Sequence, residues 1–195
     1  MINTARFSIF SIAFITLVTF TAGCAPGSGG KNAAAKASSD TTTAPVSGDR
    51  FNSEDGKFKV HFEGKPNITS EKVPTAVGDI EVHMFLYEKS ATEIYLVGYS
   101  DYPSELIKKS NAAEVIKGAQ GGVVEKLKAK ITEEKKISVG GNDGIWFRAN
   151  SDQYYITYKL FLSGNRLYQI GMIRDGSHVS DEAVKSFMDT FELLK

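Results

Sequence analysis

Apolar and polar residues alternate along several short stretches after residue 50, and each stretch predicts a strand. "KFKVHF" puts Phe58, Val60 and Phe62 on one side. "IEVHMFLYE" sets Ile80, Val82, Met84 and Leu86 against His83, Phe85 and Tyr87. "EIYLVGYS" and "YYITYKLFL" are apolar on both sides. In the second of these, Tyr154, Ile156, Tyr158, Leu160 and Leu162 oppose Tyr155, Thr157 and Phe161. Strands of that kind are covered on both faces. The turn signals "EGKPN", "AVGD", "GGNDG" and "SGNR" separate the runs, and Gly164-Asn165 predicts a short hairpin. About seven or eight strands follow, mostly joined as antiparallel neighbours.

Two segments follow the helical period instead. The first spans Asn111 to Ala129. Asn111 with Glu114 three residues on forms a capping box with Asn in the cap. Val115, Ala119, Val123 and Leu127 make one apolar stripe. Gly118, Gly121 and Gly122 each cost about 1 kcal/mol against alanine, and close approach of helix to sheet is the reading for them. A phosphate-cradling loop is excluded, because no Gly-Lys-Ser/Thr follows. The second helix runs from Ser180, its N-cap, to about Leu193, with Asp181 and Glu182 at the positive end of the dipole. Ala183, Phe187, Phe191 and Leu194 form its stripe, beside Val184 and Met188. One helix on each face is the simplest way to cover such a sheet. The expected fold class is therefore α+β, an α/β/α sandwich. Its mostly antiparallel twisted sheet of about seven strands is covered by two main helices.

Ahead of the first strand the pattern changes. Met1 to Arg6 is short and basic, Ile9 to Phe20 is apolar, and Thr21, Ala22 and Gly23 precede Cys24. About twelve apolar residues are short for a bilayer span of about 20. The order reads as a secretory signal peptide over residues 1–23. "TAGC" resembles the lipobox of bacterial lipoproteins, with Thr21 where that class prefers leucine. The resemblance implies a diacylglycerol on the Cys24 sulfur, cleavage just before it, and acylation of the new amine. Residues 24–50 are rich in alanine, glycine, serine and threonine and cannot bury enough surface to order themselves. They read as a flexible tether with an r.m.s. span of roughly 28 Å. Residues 51–195 are of ordinary single-domain size. No aspartate follows Cys24, which in enterobacterial lipoproteins goes with outer-membrane sorting. The expectation is a bacterial cell-envelope protein, anchored to the membrane through lipidated Cys24 and facing the periplasm or the exterior. The outer membrane is favoured if the cell has two.

Charge and chemistry narrow the picture further. Lys plus Arg and Asp plus Glu each number 23, so net charge is zero, and no basic patch points to nucleic acid. Cys24 is the one cysteine. The domain beyond it has no disulfide, thiol nucleophile or cysteine zinc site. His61, His83 and His178 form no HExxH motif, and no Gly-x-Ser-x-Gly elbow occurs. No catalytic residue, metal or cofactor is expected. The one stretch with candidate chemistry is "YSDYPSE", which sets Tyr99, Ser100, Asp101 and Tyr102 at a sheet end, a place where ligand crevices form. The same residues also fit a plain turn, with Ser100 and Asp101 bonding local backbone and Pro103 fixing φ.

"DGKFKVHFEGKP", "YLVGYSDYP" and "NRLYQIGMI…SFMDTFEL" resemble the Mog1/PsbP-like fold, which includes bacterial DcrB-type lipoproteins. Members bind other proteins: a small GTPase, a photosystem, or envelope machinery. The resemblance implies a non-catalytic binding or accessory module for an envelope protein partner. The alternative is a small-ligand carrier or enzyme with a pocket near Ser100 and Asp101.

Overall fold

The structure is a computed structural model that describes residues 50–75 and 78–195. The expected signal peptide, Cys24 and the expected tether up to residue 49 lie outside the described residues. Among the described residues, ten strands and three α-helices follow in the order β1 (Phe51–Ser53), β2 (Phe58–Val60), β3 (Asn67–Thr75), β4 (Gly78–Ser90), β5 (Glu93–Asp101), α1 (Ser104–Lys109), α2 (Ala112–Lys126), β6 (Lys130–Val139), β7 (Asn142–Asn150), β8 (Tyr154–Ser163), β9 (Arg166–Asp175), α3 (Asp181–Phe187) and β10 (Glu192–Leu193). Seven of the strands form one sheet in the order β3-β4-β5-β9-β8-β7-β6, antiparallel throughout. β1, β2 and β10 form a separate small sheet.

The two-faced strands do what their alternation requires. Leu96, Ile156, Tyr158, Leu160 and Ile173 point to one side and pack with Val115, Ala119 and Val123 of α2 and with Leu127, which caps it. Tyr95, Val97, Tyr99, Phe161, Ile170 and Met172 point to the other and pack under Phe58, Val60, Phe62, Phe187 and Phe191. The sheet thus lies between two apolar layers.

The second layer differs from the two-helix expectation. α3 is only seven residues long and ends at Phe187. A 3-10 turn, Met188–Thr190, follows, and Phe191 is already extended, with φ −67° and ψ 127°. Glu192 and Leu193 then pair antiparallel with Lys59 and Phe58. The helical spacing of Ala183, Phe187 and Phe191 is overridden because β2 offers a backbone partner. Leu194 N completes the seam by donating to Lys57 O at 2.9 Å. The first strand of the sequence reading therefore belongs to this small sheet. Helices cover the large sheet only in part, and the small sheet supplies the rest.

The expected first helix is present as α2, and a short extra helix precedes it. Pro103 starts the short α1, and Ser110 ends it in extended conformation. α2 opens with the anticipated capping box: Ala113 N donates to Asn111 Oδ1 at 2.9 Å and Asn111 N to a Glu114 carboxylate oxygen at 3.4 Å. At its end Lys128 takes φ +50°. Ala129 N donates to Val124 O and Lys128 N to Glu125 O, a Schellman closure without its usual glycine. Of the helix glycines, Gly121 is exposed, and a Cβ there would meet nothing within 4 Å. Close approach to the sheet does not explain that one. Gly140 and Gly141, at φ +57° and +82°, make the two-residue hairpin from β6 to β7 that a type I′ turn demands.

Candidate functional site

β5 ends where the sequence placed its candidate residues, and the pleat divides them. Tyr99 and Asp101 lie on the small-sheet side; Ser100 lies on the helix side. Tyr99 is 3% exposed and packs among Phe85, Tyr168 and their neighbours. The His83 ring stacks on it from β4, with centroids 4.5 Å apart and planes 15° apart. From β9 the Arg166 guanidinium sits 4.3 Å from the Tyr99 ring centre. Burial is the main cause that pushes the Tyr99 phenol up to about 12, partly offset by Arg166.

Asp101 is exposed, yet both of its oxygens are taken by Arg166. The remaining end of the guanidinium donates to Asp55 O at 2.6 Å. Tyr168 Oη donates to Gly56 O at 2.8 Å in the same loop. These bonds fasten the β1–β2 turn to the end of the large sheet. Ser100 is 1% exposed beneath the helices. Tyr102 is buried in the helix-side cluster, and its backbone exchanges two bonds with Asn165: Tyr102 N donates to Asn165 O, and Asn165 Nδ2 donates to Tyr102 O. The four residues are therefore brought to one sheet end but not to one surface. A site using both Ser100 and Asp101 would have to work across the sheet.

A second group, which sequence reasoning did not single out, lies on β6 to β8. Strand alternation in "GIWFRAN" turns Ile145, Phe147 and Ala149 into the helix-side core. Trp146 and Arg148 then face the other way. Trp146 is half-buried, with Lys135 Nζ 4.9 Å and Arg148 Cζ 5.3 Å from its ring. Arg148 donates to Asp181 at 2.8 Å, and Lys135 pairs with Glu133 at 2.7 Å. The lysine bond is the main cause holding the Glu133 carboxyl below its ordinary range. His178 packs edge-on against Tyr155, with centroids 5.1 Å apart. Burial, and then Arg148, lower its pKa, while Glu133 opposes them. Arg148 Nε, Thr157 Oγ1 and His178 Nδ1 are buried here with no hydrogen-bond partner among the described residues. The result is a tryptophan held between two cations, each already paired with a carboxylate. Such a surface offers contact area and oriented charge.

Among the described residues no group of three or more His, Cys, Asp or Glu could hold a metal ion, and no helix is long and apolar enough to cross a membrane. A depression of about 260 Å3 lies between the β6–β7 hairpin and the 3-10 turn, lined by Gly140, Lys159, Met188, Asp189 and Phe191 among others. Lys159 donates there to Met188 O and to Asp189. The lysine thereby ties the turn to β8.

No protein-family model matches the chain, and no curated protein does. Solved structures do match. The solution structure of cyanobacterial PsbP (CyanoP) from Synechocystis sp. aligns over 74% of this chain and 91% of its own, at 13% identity and a TM-score of 0.51. A crystal structure from Bacteroides thetaiotaomicron aligns over 76% of this chain and 49% of its own, at 15% identity and a TM-score of 0.39. At such identities the first of these speaks for architecture alone, and it supports a PsbP/Mog1-like fold for the domain.

Proposed function

We propose that this chain is a lipid-anchored cell-envelope protein that acts as a non-catalytic binding or accessory module for a protein partner. Cys24 carries the anchor, residues 24–50 give reach, and the domain does the binding. The observation that carries the reading is Trp146, half-buried between Lys135 and Arg148 on the sheet. Tryptophan and arginine dominate the binding energy of protein interfaces, and a ring fixed by its neighbours loses little entropy on docking. The clamped state of Asp101 supports the same reading, since a carboxylate with both oxygens bonded to Arg166 is engaged in holding the sheet end together.

Photo-crosslinking in the native envelope tests this reading. A photoreactive aromatic at position 146 should give a discrete adduct that the same group at exposed Glu105 does not. Identical adduct patterns at the two positions, or none at 146, would contradict it. The anchor has its own test in palmitate labelling, which Cys24→Ala should abolish.

A further inference from the structure

Four buried side-chain atoms that have no hydrogen-bond partner among the described residues gather on one face of the large sheet. They are Arg148 Nε and Asn150 Oδ1 on β7, Thr157 Oγ1 on β8, and His178 Nδ1 on the loop from β9 to α3. Arg148 lies opposite Thr157, and Asn150 lies opposite Tyr155, against whose ring His178 packs. The four therefore meet where residues 176–181 rest on β7 and β8. A polar atom buried without a partner loses its bonds to water and gains none in exchange. Contact with water would satisfy all four at once.

The loop is also held lightly. Among the described residues, 176–179 make no backbone–backbone hydrogen bond. Gly176 turns the chain at φ +81°, a conformation glycine takes freely. Val179 is the buried apolar anchor, and Asp181 accepts from Arg148 at 2.8 Å. His178 lies between these two attachments, and the acids facing it are already engaged. Glu133, from β6, is paired with Lys135, and Asp181, from α3, with Arg148. Arg148 faces the ring from β7 as a cation, and Tyr155 faces it from β8. Arg174, opposite Tyr155 on β9, is paired with Glu93. A neutral imidazole fits such a place. An imidazolium carries an N–H on both ring nitrogens, and the one on Nδ1 would be buried beside a guanidinium with no acceptor.

We infer that residues 176–181 form a proton-operated latch, seated on β7 and β8 while His178 is neutral and lifted when its ring is charged, baring Arg148, Asn150, Tyr155 and Thr157 beside Trp146. Gly176 is the hinge, and the buried Phe187 keeps the rest of α3 in place. Burial first, and then Arg148, lower the pKa of the seated ring. In the lifted loop the ring titrates near pH ~6.5, above its seated value, so acid favours the lifted state and neutral pH the seated one. The latch goes beyond the partner reading and does not depend on it. Lifting frees Arg148 from Asp181, and the guanidinium sits 5.3 Å from the Trp146 ring, so the surface around the tryptophan changes with pH.

Thiol trapping on the full chain in detergent tests the inference. Thr157→Cys puts a thiol under the latch, and Val123→Cys puts one in the helix-side core; both nearly keep the size of the residue replaced. Each variant is treated with a dipyridyl disulfide and read by mass spectrometry on the peptide that holds the new thiol, apart from Cys24. At pH 7.5 the thiol at 157 should react at least about tenfold faster than the one at 123, because the latch opens without global unfolding. Between pH 7.5 and 5.5 the rate at 157, relative to the same thiol in a His178→Gln background, should rise several-fold, with about tenfold as the limit for one proton and a lifted pKa near 6.5. The unaltered chain gives a second reading through Trp146, its one tryptophan. Its emission should change over this pH range in the parent and not in His178→Gln. Equal reactivity at 157 and 123, a pH response that survives His178→Gln, or no pH response in the parent would overturn the inference.

Discussion

Arg166 holds Asp101 with two parallel bonds: Nε donates to Oδ1 at 2.7 Å and Nη2 to Oδ2 at 2.6 Å. Fork-to-fork geometry of this kind is specific to arginine. With the Asp101 side chain 47% exposed, solvent screens much of the attraction. Asp101→Asn should therefore cost only about 1 kcal/mol. Arg166→Lys should cost at least as much, because it also loses the contact with the Tyr99 ring and the bond to Asp55 O. Urea midpoints of the two variants check this. If both left the midpoint unmoved, the clamp between the β1–β2 turn and the sheet would not exist as described.

Phe191 stacks on Phe58 at 5.4 Å and meets Phe161 and Tyr168 edge-on. Phe191→Ala should cost about 3–5 kcal/mol, as buried phenylalanines do. The urea midpoint should fall sharply at nearly constant slope. Asp189→Ala should be milder but not neutral, because Lys159, with only 15% of its side chain exposed, would lose its carboxylate. A midpoint shift as large for Asp189 as for Phe191 would refute the packing order.

Two irregular positions, one inside α2 and one just past its end, should be improvable. Gly121→Ala should stabilise by about 1 kcal/mol, since the site is open and the helix gains propensity. Lys128→Gly should stabilise by roughly 1 kcal/mol, by removing a Cβ from a left-handed conformation. Thermal melts of both variants, alone and combined, measure this. A lowered melting temperature for Gly121→Ala would mean that the helix face at 121 is not open.

His178 sets the expected pH response. Its native pKa is lowered by burial and by Arg148, so the folded state favours the neutral ring. The unfolded chain binds the proton near pH ~6.5. The neutral ring's stabilisation is therefore present above about pH 6.5 and is lost as pH falls from there toward the native pKa. Urea midpoints at pH 7.5 and 5.5 should differ more in the parent than in His178→Gln. Equal differences would remove His178 from the account.

Much of this architecture is readable from alternation and caps because both are local. Tyr158 and Phe161 announce their opposite faces by spacing alone, and Asn111 with Glu114 announces the start of α2. The end of α3 is not readable that way. Phe187 and Phe191 fit a helix, and only the distant β2 turns Glu192 and Leu193 into a strand. Nor could spacing reveal that Asp101 is occupied, since Arg166 lies 65 residues away and arrives through β5–β9 pairing. Trp146 was within reach: period-two reading of "GIWFRAN" turns it away from the helix-side core.

The partner reading is tested most directly by amide exchange of the full-length chain in isolated native envelopes, compared with the same chain purified in detergent. Exchange around Trp146 and Lys135 should slow in the envelope, while β3 and the segment Tyr99 to Tyr102 stay unchanged. Equal exchange in both preparations, or protection confined to Tyr99 to Tyr102, would contradict a partner docked at Trp146.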